Sequence, residues 1–179
     1  MTPEAPGVLI LGYGNPGRLD DGLGPALAEA IQARSLPGVT VEADYQLTVE
    51  DAAELARCGT VIFADADAAG PEPFSMTRLE PSSQPLSFST HSVEPADVLT
   101  LAVELFGAEP EAWVLGIRGY EFDAFGERLS ERARTNLDAA VQYLVAAMSA
   151  GKFQEVRPTG GINRPDPTGE EDPWQTDSA

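Results

Sequence analysis

Apolar and polar positions follow two periods along this chain, and the two take turns. Apolar runs of strand length occur at Val8–Leu11, Val39–Ala43, Thr60–Ala64 and Trp113–Ile117, flanked by turn formers or charged residues. Between them the spacing becomes helical. Pro25–Ala33 has apolar positions at Leu23, Leu27, Ala30 and Ile31, with Pro25 tolerated in the first turn. Ala52–Ala56 follows Thr48 and Asp51, which are spaced as a capping box. Pro95–Leu105 is a third helix. The fourth runs from Ser130 to about Met148, with Leu137, Ala140, Val141, Leu144, Val145 and Met148 as a core-facing stripe. Phe74–Leu79 reads as an edge strand within a stretch broken by Gly70, Pro71, Pro73, Pro81 and Pro85, and Arg118–Glu127 reads as a loop. Strands alternating with helices predict an α/β fold: a mostly parallel, twisted sheet covered on both faces.

From Gly151 onward the pattern stops. Pro158, Gly160, Gly161, Pro165, Pro167, Gly169 and Pro173 interleave with acids, which predicts one folded domain over residues 1–150 and a disordered acidic tail over 151–179. Trp174 is the one residue in that tail suited to docking.

Composition narrows the partners. Among 179 residues, 22% are charged and the formal net charge is -18, so phosphate backbones and anionic membranes would repel the chain. A metal ion, a basic peptide or a basic protein surface remains compatible, as does an acidic surface that serves only solubility. The single cysteine, Cys58, excludes an internal disulfide, and no Cys/His zinc spacing exists. Cys58 reads as a packing residue before a strand. Met1–Gly7 lacks the basic character of a signal peptide, and no apolar run approaches the roughly 20 residues needed to cross a bilayer. A cytoplasmic location is expected.

Chemistry concentrates where strands end. The first strand runs into Gly12-Tyr13-Gly14-Asn15-Pro16-Gly17, followed by Asp20-Asp21-Gly22. Gly12, Gly14 and Gly17 fit the spacing of a dinucleotide fingerprint, yet Pro16 and further loop precede the helix, and two carboxylates stand where a phosphate needs donors. The loop suits a cation or a proton better than a phosphate. Asp44 ends the second strand, Asp65 the third, and His91, the only histidine, precedes a helix. Ligands of open α/β sheets collect at these carboxyl ends. Asp21, Asp65 and His91 therefore form a candidate oxygen-and-imidazole site, suited to nickel, zinc or manganese rather than copper(I). Plainer roles stand beside it: Asp20 or Asp21 as helix caps, Asp65 as a turn closer, His91 as a cap. Asp67 is a weaker duplicate of Asp65, expected in the following loop. No G-x-S-x-G or other nucleophile pattern is present.

Three segments in order carry a resemblance. Ile10-Leu11-Gly12-Tyr13-Gly14-Asn15-Pro16 through Asp20-Asp21-Gly22-Leu23-Gly24, then Phe63-Ala64-Asp65-Ala66, then Thr90-His91-Ser92 with Ala96-Asp97-Val98-Leu99, resemble the motifs of the maturation proteases of NiFe hydrogenases. The match spans about residue 8 to residue 148. It implies a monomeric three-layer α/β/α endopeptidase, aspartic-type by family label. Such an enzyme removes a carboxy-terminal extension from the hydrogenase large-subunit precursor after nickel insertion. It implies metal-liganding roles for Asp21, Asp65 and His91 toward nickel borne by the substrate. Catalytic candidates are Asp21, Asp65 and, as a further acidic position, Asp44. Gly14, Asn15 and Gly22 read as loop-shaping, with Asn15 a candidate oxyanion donor. Tyr45–Asp51 and Arg118–Phe122 resemble the branch serving soluble, cofactor-reducing hydrogenases. A non-catalytic checkpoint that binds the nickel centre would keep the same ligands and stands as the alternative, ahead of a nucleotide-binding protein using the glycine loop.

Overall fold

The computed structural model describes residues 7–83 and 93–157. Strands β1 (Val8–Tyr13), β2 (Val39–Asp44), β3 (Thr60–Asp67), β4 (Phe74–Leu79) and β5 (Glu111–Arg118) form one sheet in the order β2-β1-β3-β5-β4. The first three and β5 run parallel, and β4 pairs antiparallel with β5 at the edge. Helices α1 (Leu23–Gln32) and α4 (Glu131–Ala150) cover one face, and α2 (Asp51–Leu55) and α3 (Pro95–Phe106) the other. This is the three-layer architecture that the alternating pattern predicts.

Alternation within each strand divides the core in two. In β1, Ile10 packs toward α1 and α4, with Leu23, Leu27, Ile31, Ala140 and Leu144, whereas Leu9 and Leu11 face α2 and α3. In β3, Ile62 and Ala64 take the first side, and Val61 and Phe63 the second. Continuing that parity sends Tyr13 and Asp65 to the α2–α3 side at the carboxyl end of the sheet. The chain itself sets where its acids lie.

Several boundaries differ from the sequence expectation, each for a local reason. Helix α1 starts two residues early, at Leu23, because Gly24 lets it press onto the sheet. A Cβ at Gly24 would lie 2.2 Å from the Tyr13 carbonyl oxygen and 2.5 Å from that of Ala64. Strand β3 runs on through Asp67, which is not a loop residue: it pairs with Arg118, while its carboxylate accepts the N–H groups of Ala69 and Gly70 to close the next turn. The box at Thr48 is half made, since Asp51 accepts the Thr48 N–H at 2.7 Å but Glu50 is the residue before α2. Residues 151–157 do not belong to an unstructured tail. Gly151 ends α4 in the left-handed conformation, Phe153 packs near Trp113, and Val156 bridges Met76 on the free edge of β4. Covering that edge satisfies backbone groups that water would otherwise take. The remaining tail residues and Trp174 lie outside the described residues. Cys58 is a free, half-buried thiol before β3. Burial first, then the Glu54 and Glu42 charges, push it above its ordinary pKa, as befits a packing residue rather than a reactive one. No described helix is long and apolar enough to cross a membrane.

Candidate active site

The adjacent carboxylates Asp20 and Asp21 occupy one turn of 3-10 helix (Leu19–Gly22) between β1 and α1, and they part company there. Neither caps α1 with its side chain. Asp20 points inward and is fully buried. It accepts the backbone N–H groups of Ser130 at 2.7 Å, Tyr120 at 2.8 Å and Glu121 at 3.0 Å, and the Ser130 hydroxyl at 2.7 Å. Burial alone would raise its pKa, but these four donors together hold it below the ordinary value. Asp20 is thus a structural carboxylate that ties the 3-10 turn to the loop after β5 and to the start of α4.

Asp21 turns the other way. Its carboxylate accepts the Asn15 N–H at 2.9 Å, and the Asn15 side-chain oxygen accepts the Gly17 N–H at 2.8 Å. These bonds use the loop donors that a phosphate would need, which removes the physical basis of a nucleotide site there. They commit the Asn15 backbone N–H and side-chain oxygen to the loop itself, which leaves its side-chain N–H2 as the group that could serve an oxyanion. Gly14 is required at its position, with φ of +134° and the Asp21 carbonyl oxygen 2.1 Å from where a Cβ would stand.

Asp21 and Asp65 meet in one cleft of about 230 Å3 between the carboxyl ends of β1 and β3, where the sheet order reverses direction. Tyr13, Tyr45, Leu47 and Glu94 complete its walls, and no Lys or Arg among the described residues lines it. Asp65 is half-buried and accepts the Ala66 N–H at 2.7 Å. Burial, reinforced by the charges of Asp21, Asp67 and Glu94, outweighs that bond and pushes its pKa up to about 6. Tyr13 is raised well above the ordinary phenol value by burial and by the charges of Asp65 and Glu94, so it stays a neutral O–H donor. Glu94 is the site residue that the sequence reading passes over. It is the residue before α3, where it forms a capping box with Asp97, and the Pro95 that follows it was the available signal.

Asp44 does not join this cleft. It pairs in register with Tyr13, and Asp65 lies one step beyond the Gly12–Ala64 pair, so the three form a row across the sheet with Tyr13 in the middle. Two strand spacings set the Cα atoms of Asp44 and Asp65 roughly 10 Å apart, and Asp44 does not line the cleft that Asp65 shares with Asp21. The Asp44 carboxylate is exposed and accepts the Tyr45 N–H at 2.7 Å, beside an adjoining cleft of about 290 Å3 with Glu42 and Asp51. His91 lies outside the described residues, and among those described no three His, Cys, Asp or Glu side chains form a metal-binding group.

No protein-family model matches the chain, and no curated protein is similar to it at a significant level. Solved structures are. A hydrogenase 2 maturation peptidase from a Thaumarchaeota archaeon is 25% identical, with 80% of this chain and 98% of that one covered and a TM-score of 0.60. The fold is that of the hydrogenase maturation proteases. The NiFe hydrogenase maturation protease HycI from Thermococcus kodakarensis superposes with a TM-score of 0.63 at 20% identity, over 82% of this chain and 95% of that one. The hydrogenase maturating endopeptidase HybD from E. coli does so with a TM-score of 0.64 at 19% identity, over 87% and 99%. The resemblance carried by the three motifs is thus matched by the fold. In this maturation-protease fold the Asp21–Asp65 cleft sits at the topological switch point of the sheet.

Proposed function

We propose that this chain is an endopeptidase that removes the carboxy-terminal extension of a NiFe hydrogenase large-subunit precursor after nickel insertion, and that it recognises the nickel carried by that substrate. One observation carries the proposal: two carboxylates of different character, Asp21 and Asp65, share a cleft with no basic side chain among the described residues. A cation delivered by the substrate would offset the burial and the carboxylate repulsion that together raise Asp65. Oxygen donors of this kind suit a divalent first-row metal. His91, three residues before Glu94 in the sequence, is the proposed nitrogen donor.

The chain's own groups divide the work as follows. Asp21, held by Asn15, has a fixed orientation and serves as an anchoring ligand. Asp65, whose pKa of about 6 in the free protein leaves it ionised at neutral pH, faces the same cleft and is the carboxylate placed to take a proton from a water molecule at the scissile carbonyl. Tyr13 supplies a neutral O–H donor in a cleft of acids, able to hydrogen-bond the oxygen on which charge develops. A precursor without nickel lacks the group that these carboxylates attract, and it is rejected for want of that contact. Asp44 lies outside this cleft, so a pair of carboxylates sharing a proton could be formed here by Asp21 and Asp65 and not by Asp44.

The test is cleavage of a nickel-loaded precursor by wild type, Asp21→Ala and Asp65→Ala, read by electrophoretic shift. Wild-type cleavage with both variants inactive yet cooperatively folded is the expected result. Cleavage at the wild-type rate by both variants overturns the site. Stable binding of the precursor without any cleavage by the wild type would make the chain a checkpoint that senses the nickel centre.

A further inference from the structure

The Asp21–Asp65 cleft continues beyond its own walls. It shares Gly14 and Tyr45 with a shallow hollow of about 240 Å3 over Pro16 and Pro25. That hollow shares Pro16, Pro25 and Ala43 with a larger cleft of about 500 Å3, which is walled by Leu19 and Leu129. Glu29, Glu127 and Arg134 lie along its margin. The three hollows form one trough across the carboxyl edge of β1 and β2 and the start of α1.

An exposed aromatic ring stands at the far end. Phe125 is 90% exposed, an unusual position for a large apolar side chain. The residue that follows it is nevertheless tied down. The Gly126 N–H donates to the Gly17 carbonyl at 2.9 Å, and the Leu19 N–H donates to the Gly126 carbonyl at 2.9 Å. The Arg18 guanidinium sits 5.9 Å from the centre of the ring. Leu19 and Glu127 line the large cleft, so the segment that carries Phe125 borders it. Packing within the chain does not account for an aromatic side chain anchored in this way, whereas such rings are the usual energetic centres of protein contacts.

We infer that the trough is the track on which the precursor's polypeptide lies to one side of the scissile bond. An extended segment passes from the Asp21–Asp65 cleft over Pro16 and Pro25, places an apolar side chain between Leu19 and Leu129, and stacks against Phe125. Glu29 and Glu127 outnumber Arg134 at the margin, so a basic neighbour in that segment is favoured over an acidic one. The inference rests on the peptidase reading above, and it adds the means by which a polypeptide substrate is held apart from its metal.

Steady-state cleavage of the nickel-loaded precursor tests it with Phe125→Ala, Ala26→Arg and Phe106→Ala. Ala26 lines the large cleft on the surface of α1, whereas exposed Phe106 ends α3 at the opposite edge of the sheet. Phe125→Ala and Ala26→Arg are each expected to raise KM about tenfold with kcat within about twofold, as for loss of a single buried contact. Phe106→Ala is expected to leave both constants unchanged. Wild-type KM in both trough variants overturns the track while leaving the peptidase reading intact. Absence of cleavage by the wild type overturns both.

Discussion

Asp65→Asn should make this protein more stable at pH 8 and leave it nearly unchanged at pH 4. The carboxyl group is half-buried, and burial, then the charges of Asp21, Asp67 and Glu94, raise its pKa from the ordinary 3.8 to about 6. A group that holds its proton more tightly when folded lowers stability as pH rises between the two values. At about 1.36 kcal/mol per pH unit, the rise amounts to about 3 kcal/mol above pH 7 and about 0.5 kcal/mol at pH 4. Asparagine removes the charge but keeps an oxygen to accept the Ala66 N–H. Urea unfolding of wild type and variant, in metal-free buffer at both pH values, reads the difference. Gain at pH 8 combined with loss of function is the pattern expected where a site is built for chemistry at the expense of stability. Equal stability at pH 8, or a less stable variant, would refute the claim that Asp65 is a desolvated, repelled carboxylate.

Other outcomes follow from the framework around the cleft. Asp20→Ala strips four donors of their acceptor in a buried position and should cost about 3–5 kcal/mol, read as a large fall in Tm. Because the Asp20 pKa is lowered on folding, its contribution is present above the ordinary carboxylate pKa and fades as pH falls through the folded value. Gly24→Ala places a Cβ 2.2 Å from the Tyr13 carbonyl oxygen and should lower Tm by roughly 10 °C or prevent folding, because backbone cannot yield as a side chain can.

Much of the architecture was legible because its signals are local. The β1, β3 and β5 apolar runs and the α4 stripe identify themselves by period, and β4 is marked as an edge by the prolines around it. The strand ends alone place Asp21 and Asp65 on one edge of the sheet. What the sequence could not supply were contacts across long separations. The split between Asp20 and Asp21 depends on Ser130, more than a hundred residues away. The isolation of Asp44 depends on the order β2-β1-β3, which inserts Tyr13 between it and Asp65. Glu94 was hidden by its ordinary role at a helix start, and the 151–157 segment by a composition that resembles the tail following it.

The central claim is that carboxylates on this cleft cut a precursor whose metal they recognise. Intact mass of a large-subunit precursor before and after incubation with this protein tests it most directly, with nickel-loaded and metal-free forms run in parallel. Loss of a carboxy-terminal peptide from the nickel-loaded form alone is the predicted result. Equal cleavage of both forms would contradict the metal gate, and an unchanged mass in both would contradict the peptidase.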